Sequence, residues 1–468
     1  MLVFFPKYFS NKAIITYLIA FLVVNFMFYS SSMPALWMFW GIAEILLFFI
    51  LSNSLSKKWS DISRKAFKSK IFWYSFFLSF FYVTVTYFLY IYLRGEPFEY
   101  DPSDGIGYHE EAKWFVDCFR KGIMEPYYEV YDSYSIDDKG YLFYLDRLYI
   151  LIDGNIYITR VIKCFYRAWM CVVIYKLASR NFGESVGRMA AIFCMLMPHF
   201  SFYAASHRKE MEMILIAVLA IERIDYLLKT NVLKVKDLFM SLGLIGISFT
   251  FRTVLGVAIT FAFAASLFFI SNKLISKNKR ISLIIIGALS VVLLSGGVIY
   301  NQVKNVYESK IAGTQGKDME WRSQGNSYAK YAGAAVFAPM IVAIPFPTMV
   351  DVSEQYNQQR LNGGYYVKNI LAFFVMFSMF YVIKHKEWRK YVLIYGYTLS
   401  YLLMIAFSNF AHSERFHLPA LPFLLILAAY GISLCGKKET KYYSIYCYAM
   451  CAVAIAWNMF KLGGRGLL

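Results

Sequence analysis

Charge is scarce in this sequence. Of 468 residues only 17% are Asp, Glu, Lys or Arg, against about 25% in a soluble domain. A soluble chain of this length needs polar surface for two or three domains, and that surface is missing over most of the chain. Paired cysteine is missing too. Of seven cysteines only Cys118 falls in a predicted external loop, where alone it cannot form a staple, and no Cys-X-X-Cys or Cys/His spacing points to zinc. No small-residue cleavage site follows the first apolar run after Lys7 and Lys12, so that run is expected to remain as a helix. No internal repeat or low-complexity tract stands out, which argues against an inverted-repeat transporter. No basic stripe lies on a soluble domain, so the net charge of +18 does not indicate nucleic acid.

What is present is apolar: 59% hydrophobic and 19% aromatic residues, gathered in blocks of about 18–22 that match the hydrocarbon thickness of a bilayer. The expected fold is therefore all-α and membrane-integral. Thirteen spans are predicted near 13–31, 35–52, 71–93, 156–178, 186–204, 210–228, 237–251, 254–271, 281–300, 366–383, 391–408, 417–434 and 442–460. They divide the chain into N-terminal spans (1–93), a first hydrophilic loop (94–155), central spans (156–300), a second loop (301–365) and C-terminal spans (366–468). Alternate connections are basic: Lys57 to Lys70, Lys176 to Arg188, Lys229 to Lys236, Lys273 to Arg280, Lys384 to Lys390, and Lys437 to Lys441. By the positive-inside rule this puts the N-terminus in the cytoplasm, and both large loops face the periplasm or exterior of a plasma (inner) membrane.

Four segments on that outer side could carry chemistry. The first runs Tyr100-Asp101-Pro102-Ser103-Asp104-Gly105-Ile106-Gly107-Tyr108-His109-Glu110-Glu111. Its Pro and Gly residues predict a turn. Tyr108, Ala112, Phe115, Val116 and Phe119 then recur at helical spacing, which predicts an amphipathic helix on the membrane surface. A carboxylate there can act as general base or hold a divalent cation; it also reads as a solvated acidic loop with a helix cap. The second is His207-Arg208-Lys209-Glu210, whose cations suit a lipid-linked phosphate or simple interfacial snorkelling. The third is Arg252 between two short apolar runs. The fourth is His412-Ser413-Glu414-Arg415-Phe416-His417-Leu418-Pro419, with Pro419 marking the entry to the next span. Arg322 and Arg360 in the second loop are further cations, and a proline-interrupted apolar stretch, 332–349, reads as re-entrant or interfacial. Mid-span charges are few, with Glu44 and Glu222 left without an evident partner, which argues against an ion channel.

The Asp104–Ala112 segment and the run Glu414-Arg415-Phe416-His417-Leu418-Pro419-Ala420-Leu421-Pro422-Phe423 resemble motifs of polytopic C-type (GT-C) glycosyltransferases. The nearest look is to bacterial relatives of protein mannosyltransferases and lipid A aminoarabinose transferases. The resemblance implies a bundle of about 11–13 transmembrane helices. It implies a sugar donor on polyprenyl phosphate, a cell-envelope glycan or lipid acceptor, contact with membrane lipids and no nucleic acid. No cofactor is required, and a divalent cation is optional. Carried over, Asp104 is the base, Arg415 and His417 bind the donor phosphate, and Tyr108, Arg208, Lys209, Arg252 and Arg322 are additional contacts. The family usually places its acidic loop after the first span, whereas here two extra spans precede it, and Gly105 stands where the family often has Glu, so Asp101, His109 and Glu110 remain alternatives for the base. Two other readings stand beside this one. An O-antigen or capsule repeat-unit polymerase would use a loop motif like Arg322 followed by Gly333. A flippase for polyprenyl-linked glycans would need polar groups lining a central path.

Overall fold

The computed structural model describes residues 4–100, 102–230, 234–269, 281, 326, 334–352, 355–408, 411 and 413–467. Among them the chain is helical, with no strand. The helices are α1 (Lys7–Met27), α2 (Ala35–Lys58), α3 (Arg64–Arg94), α4 (Ser103–Lys121), α5 (Glu125–Ser133), α6 (Ile136–Ile152), α7 (Ile156–Phe182), α8 (Glu184–Leu196), α9 (Pro198–Ala205) and α10 (Glu210–Lys229). They continue with α11 (Val235–Phe251), α12 (Thr253–Phe269), α13 (Ala334–Met340), α14 (Tyr356–Arg360), α15 (Asn362–Lys384), α16 (Val392–Ala406), α17 (Glu414–His417), α18 (Leu421–Leu434) and α19 (Lys437–Gly463). By length and composition α1, α2, α3, α15 and α19 can each cross a membrane; α12, α16 and α18 are apolar but shorter.

Helix α3 shows what solvent the fold is built for. Ser63 caps its start by accepting from the Ala66 amide, and Gly95 ends it in a left-handed conformation at φ 76°. Its buried stripe includes Ser75, Ser79 and Thr86, whereas Phe77, Phe81 and Phe88 stand 59–68% exposed. A water-soluble helix has the opposite arrangement. An outer face more apolar than the inner one is what a lipid surrounding permits, with small residues letting helix backbones approach.

Helices α8 and α18 are buried along nearly their whole length and form the centre. Around them pack α7 on α8 and α3, α15 on α18, and α10 on α7. The α12–α16 pair and the α1–α2–α19 group complete the bundle. The irregular stretch 341–352 is also buried, and side chains satisfy its backbone. Asn369 donates to the Pro345 carbonyl (2.9 Å), and Asn458 both accepts from the Met349 amide (2.8 Å) and donates to the Pro347 carbonyl (3.1 Å).

Several expectations change. The predicted span 186–204 is two helices, because Pro198 has no N–H to donate and holds Met197 extended (φ −63°, ψ 118°). The predicted span 417–434 begins at Leu421, with Pro422 rather than Pro419 in its first turn. The first hydrophilic loop is three helices, α4–α6, and not one. Glu222 and Glu44 do have partners: Glu222 pairs with Arg180 at 2.5 Å, and Glu44 accepts from the Gly364 amide at 2.9 Å. The span 281–300 lies outside the described residues apart from position 281.

The α15–α18 contact depends on Gly431, where the Phe374 carbonyl occupies the place a Cβ would take. Gly431→Ala must push two central helices apart. It is expected to cost about 1–3 kcal/mol, read as a lowered unfolding temperature of the detergent-solubilised protein; an unchanged temperature would refute this packing.

Candidate functional site

Helix α4 presents the acidic motif. Ala112, Phe115 and Val116 are buried on its inner face against α6, which makes it amphipathic as the spacing predicts. Gly105 lies against the His207 carbonyl, where an added Cβ would stand at 3.3 Å. That close approach sets Asp104, in the first turn of α4, beside the turn 206–210 between α9 and α10.

The turn itself is gripped from below. Lys163 of α7 is fully buried, and its Nζ donates to the Ser206 carbonyl (3.1 Å) and the Arg208 carbonyl, while pairing with Glu212 at 3.6 Å. Arg160, one turn before it, pairs with Glu99 at 3.8 Å, and Arg208 meets the same carboxylate at 3.1 Å. Arg167 donates to Ser79 (2.7 Å), Ser201 (2.8 Å) and the Met195 carbonyl (2.5 Å). Positions 160, 163 and 167 share one helical face. This inward basic stripe has its signal in the sequence, an i, i+3, i+7 pattern of cations inside an apolar span.

Above the grip lies a cavity of about 670 Å³. Its polar wall holds Asp104, Tyr108, Asp138, Lys209, Arg252 and Arg415, and its apolar wall includes Val254, Val257, Leu403, Met404, Ile405 and Phe407. Arg415 Nη2 stands 2.5 Å from Asp104 Oδ2, and its Nε 3.1 Å from Oε1 of the fully buried Glu210. Lys209 Nζ donates to Asp138 Oδ1 (2.5 Å) and the Asp137 carbonyl (2.7 Å), and the Tyr108 hydroxyl donates to the same Asp138 oxygen (2.7 Å). Arg252 is the extended residue that separates α11 from α12 (φ −165°). It lies over the Phe416 ring at 4.4 Å, and its buried Nη1 has no hydrogen-bond partner among the described residues.

Burial works against ionising Asp104, but the Arg415 guanidinium, reinforced by Arg208 and Lys209, outweighs it and holds the carboxyl below its usual range. For Lys209 the balance goes the other way: burial outweighs the attraction of Asp138, and its pKa falls. The cavity thus joins a carboxylate held ionised to three cations, across from an apolar wall. Such a site can take a proton from a hydroxyl or amine and can stabilise an anion whose remaining part is apolar.

The other sequence candidates lie elsewhere. His417 is buried, donating from Nε2 to the Ala411 carbonyl (2.7 Å) with Nδ1 3.1 Å from Lys368 Nζ, and does not line the cavity. Arg208 belongs to the Glu99 pair behind the wall. His109 bonds through Nδ1 to the Tyr149 hydroxyl (2.6 Å), which meets His207 Nε2 at 3.0 Å; burial, with Lys113 and Arg160 nearby, lowers its pKa to about 4. Glu110 is exposed outside the cavity. Arg360 is buried among Trp37, Trp40, Tyr82, Tyr90 and Phe202. Asp101, Arg322 and His412 lie outside the described residues. Asp137, Asp138 and Tyr401 line the cavity and were not singled out by sequence. Among the described residues, no group of three or more His, Cys, Asp or Glu side chains is placed to hold a metal ion.

The Lys163 grip carries a stability prediction. Lys163→Met leaves Glu212 as a buried charge without its cation and two carbonyls without a donor, a loss of about 3–5 kcal/mol. Thermal unfolding in detergent checks it, and a change under about 1 kcal/mol would mean the grip does not hold the turn. No protein family matches the chain, and no curated protein matches it.

Proposed function

We propose that this protein is a polytopic GT-C-like glycosyltransferase of a plasma membrane. In this reading its N-terminus is cytoplasmic and its cavity opens toward the outer face. It moves a sugar from a polyprenyl-phosphate donor to a cell-envelope glycan or lipid acceptor. One observation carries the reading: Asp104, Lys209, Arg252 and Arg415, far apart in sequence, line a single cavity whose opposite wall is apolar. A lipid-linked phosphate has the same division, an anionic head on an apolar chain, and the resemblance of the Asp104 and Arg415 motifs to those enzymes points the same way.

The reaction is an inverting displacement. The acceptor hydroxyl or amine attacks the anomeric carbon and gives its proton to Asp104. The bond from that carbon to the phosphate oxygen breaks, and the electron pair leaves with the polyprenyl phosphate. Arg252, Arg415 and Lys209 stabilise that departing anion. A phosphate is a weak base, so the leaving group requires no acid catalyst.

The flippase reading gains little from the buried basic stripe of α7, since Arg160, Lys163 and Arg167 are each engaged by the protein's own carboxylates, hydroxyls or carbonyls. The polymerase motif, Arg322 with Gly333, lies outside the described residues.

The test is transfer of labelled sugar from a panel of polyprenyl-phosphate hexoses and pentoses, using purified protein in liposomes. Asp104→Asn is expected to lower turnover by about 10²–10⁴, and Arg415→Ala by about 10²–10³. Full turnover in Asp104→Asn removes the base, and full turnover in Arg415→Ala removes the phosphate contact. Counting the units added from a single donor separates one transfer from polymerisation.

A further inference from the structure

Arg415 is held by two carboxylates at once. Asp104 takes its Nη2 at 2.5 Å and Glu210 takes its Nε at 3.1 Å. Glu210 is unusual in its own right. It is fully buried, neither of its oxygens accepts a hydrogen bond among the described residues, and Arg415, Arg252, Arg208 and Lys209 all act on its charge. A carboxylate in that position is kept by charge alone, among three cations that line the cavity and one, Arg208, behind its wall. Without it, those cations would repel one another in a poorly screened interior.

An arriving phosphate meets two kinds of cation. Arg252 has a buried nitrogen with no acceptor and borders the cavity directly. Arg415 already carries two carboxylates, on Nη2 and Nε, so a phosphate must share its charge with them or displace one. We infer that Asp104 and Glu210 are resident competitors for the phosphate: they hold Arg415 in the empty site, weaken binding of the phosphate, and so hasten its release after transfer. Glu210 is thereby a specificity-determining residue for the anion. Asp104 becomes more basic as a donor phosphate draws Arg415 away from it, which couples activation of the acceptor to occupancy by the donor.

The inference rests on the phosphate-donor reading, and it predicts a sign that a purely positioning role does not. If Glu210 merely orients Arg415, neutralising it weakens phosphate binding. If it competes, neutralising it tightens binding. The probe is farnesyl phosphate, titrated into the full-length purified protein in detergent, with farnesol and inorganic phosphate in parallel to separate the chain from the head group. Glu210→Gln is expected to bind farnesyl phosphate about tenfold or more tightly than wild type, and Glu210→Asp to remain near wild type. Asp104→Asn, a change at a half-exposed position, is expected to shift affinity in the same direction, and it decides the matter if Glu210→Gln does not fold. Farnesol affinity should not change in any variant. Phosphate-dependent binding by wild type that is equal or weaker in the neutral variants overturns the competition and leaves the donor reading standing. Equal binding of farnesol and farnesyl phosphate by wild type, with none of inorganic phosphate, removes the donor reading and the inference together.

Discussion

The ion pair between Arg415 and Asp104 joins positions 311 residues apart, and the arrangement of the cavity depends on it. Through the same guanidinium, Glu210 adds the start of α10, so three separate parts of the chain meet at one side chain. Each contributes a further wall residue near its ion-pair partner: Tyr108 lies one turn after Asp104, Lys209 precedes Glu210, and the Phe416 ring follows Arg415. Glu210 is fully buried, where no water compensates a charge left without a partner, so its pairing with Arg415 ties the start of α10 to this place. The cavity is the space between those ends.

The support beneath it follows the same rule. α7 cannot bury Arg160, Lys163 and Arg167 against lipid, so their face turns inward and finds Glu99, Glu212, two serines and backbone carbonyls. Because Lys163 binds carbonyls of the turn and not side chains alone, the backbone of the turn is fixed and Lys209 is aimed from a rigid base. The placement of Gly105 against the His207 carbonyl brings α4 down onto that base. The position of the acidic motif thus rests on backbone contacts as well as on the ion pairs of the cavity.

Much of this was legible in the sequence because lipid imposes simple patterns. Apolar runs of membrane length located α1, α2, α3, α15 and α19, and the spacing of Ala112, Phe115 and Val116 located the inner face of α4. Asp104, Tyr108, Lys209, Arg252 and Arg415 could be singled out as ionisable or polar groups where apolar runs end. What could not be read was which of them meet. His417 lies two residues from Arg415, yet a four-residue helix turns it to the opposite side, toward Lys368. Asp138 looked like one carboxylate among many in a hydrophilic loop, and only the docking of α6 beside Lys209 brings it to the cavity. Proline also misled by its ambiguity, since Pro198 breaks a span whereas Pro422 opens one.

A comparison of two buried arginines shows why the cavity is the place to look for a ligand. Arg360 is 1% exposed and has five aromatic rings around its guanidinium, with a hydrogen bond to the Tyr82 hydroxyl at 2.9 Å. Those ring faces offset part of the cost of burying the charge and leave no room for another molecule. Arg252 is nearly as buried, at 8% exposure, but has one ring, that of Phe416, and beside it the 670 Å³ space. Both are cations inside an apolar bundle, where burial is expensive unless something answers the charge. At Arg360 the rings and the Tyr82 hydroxyl supply most of the answer, with only Nε left without an acceptor among the described residues. At Arg252 the fold supplies the Tyr401 side chain and the charge of Glu210 but leaves the buried Nη1 without an acceptor among the described residues, and the space along Val254, Val257 and Met404 lies beside it.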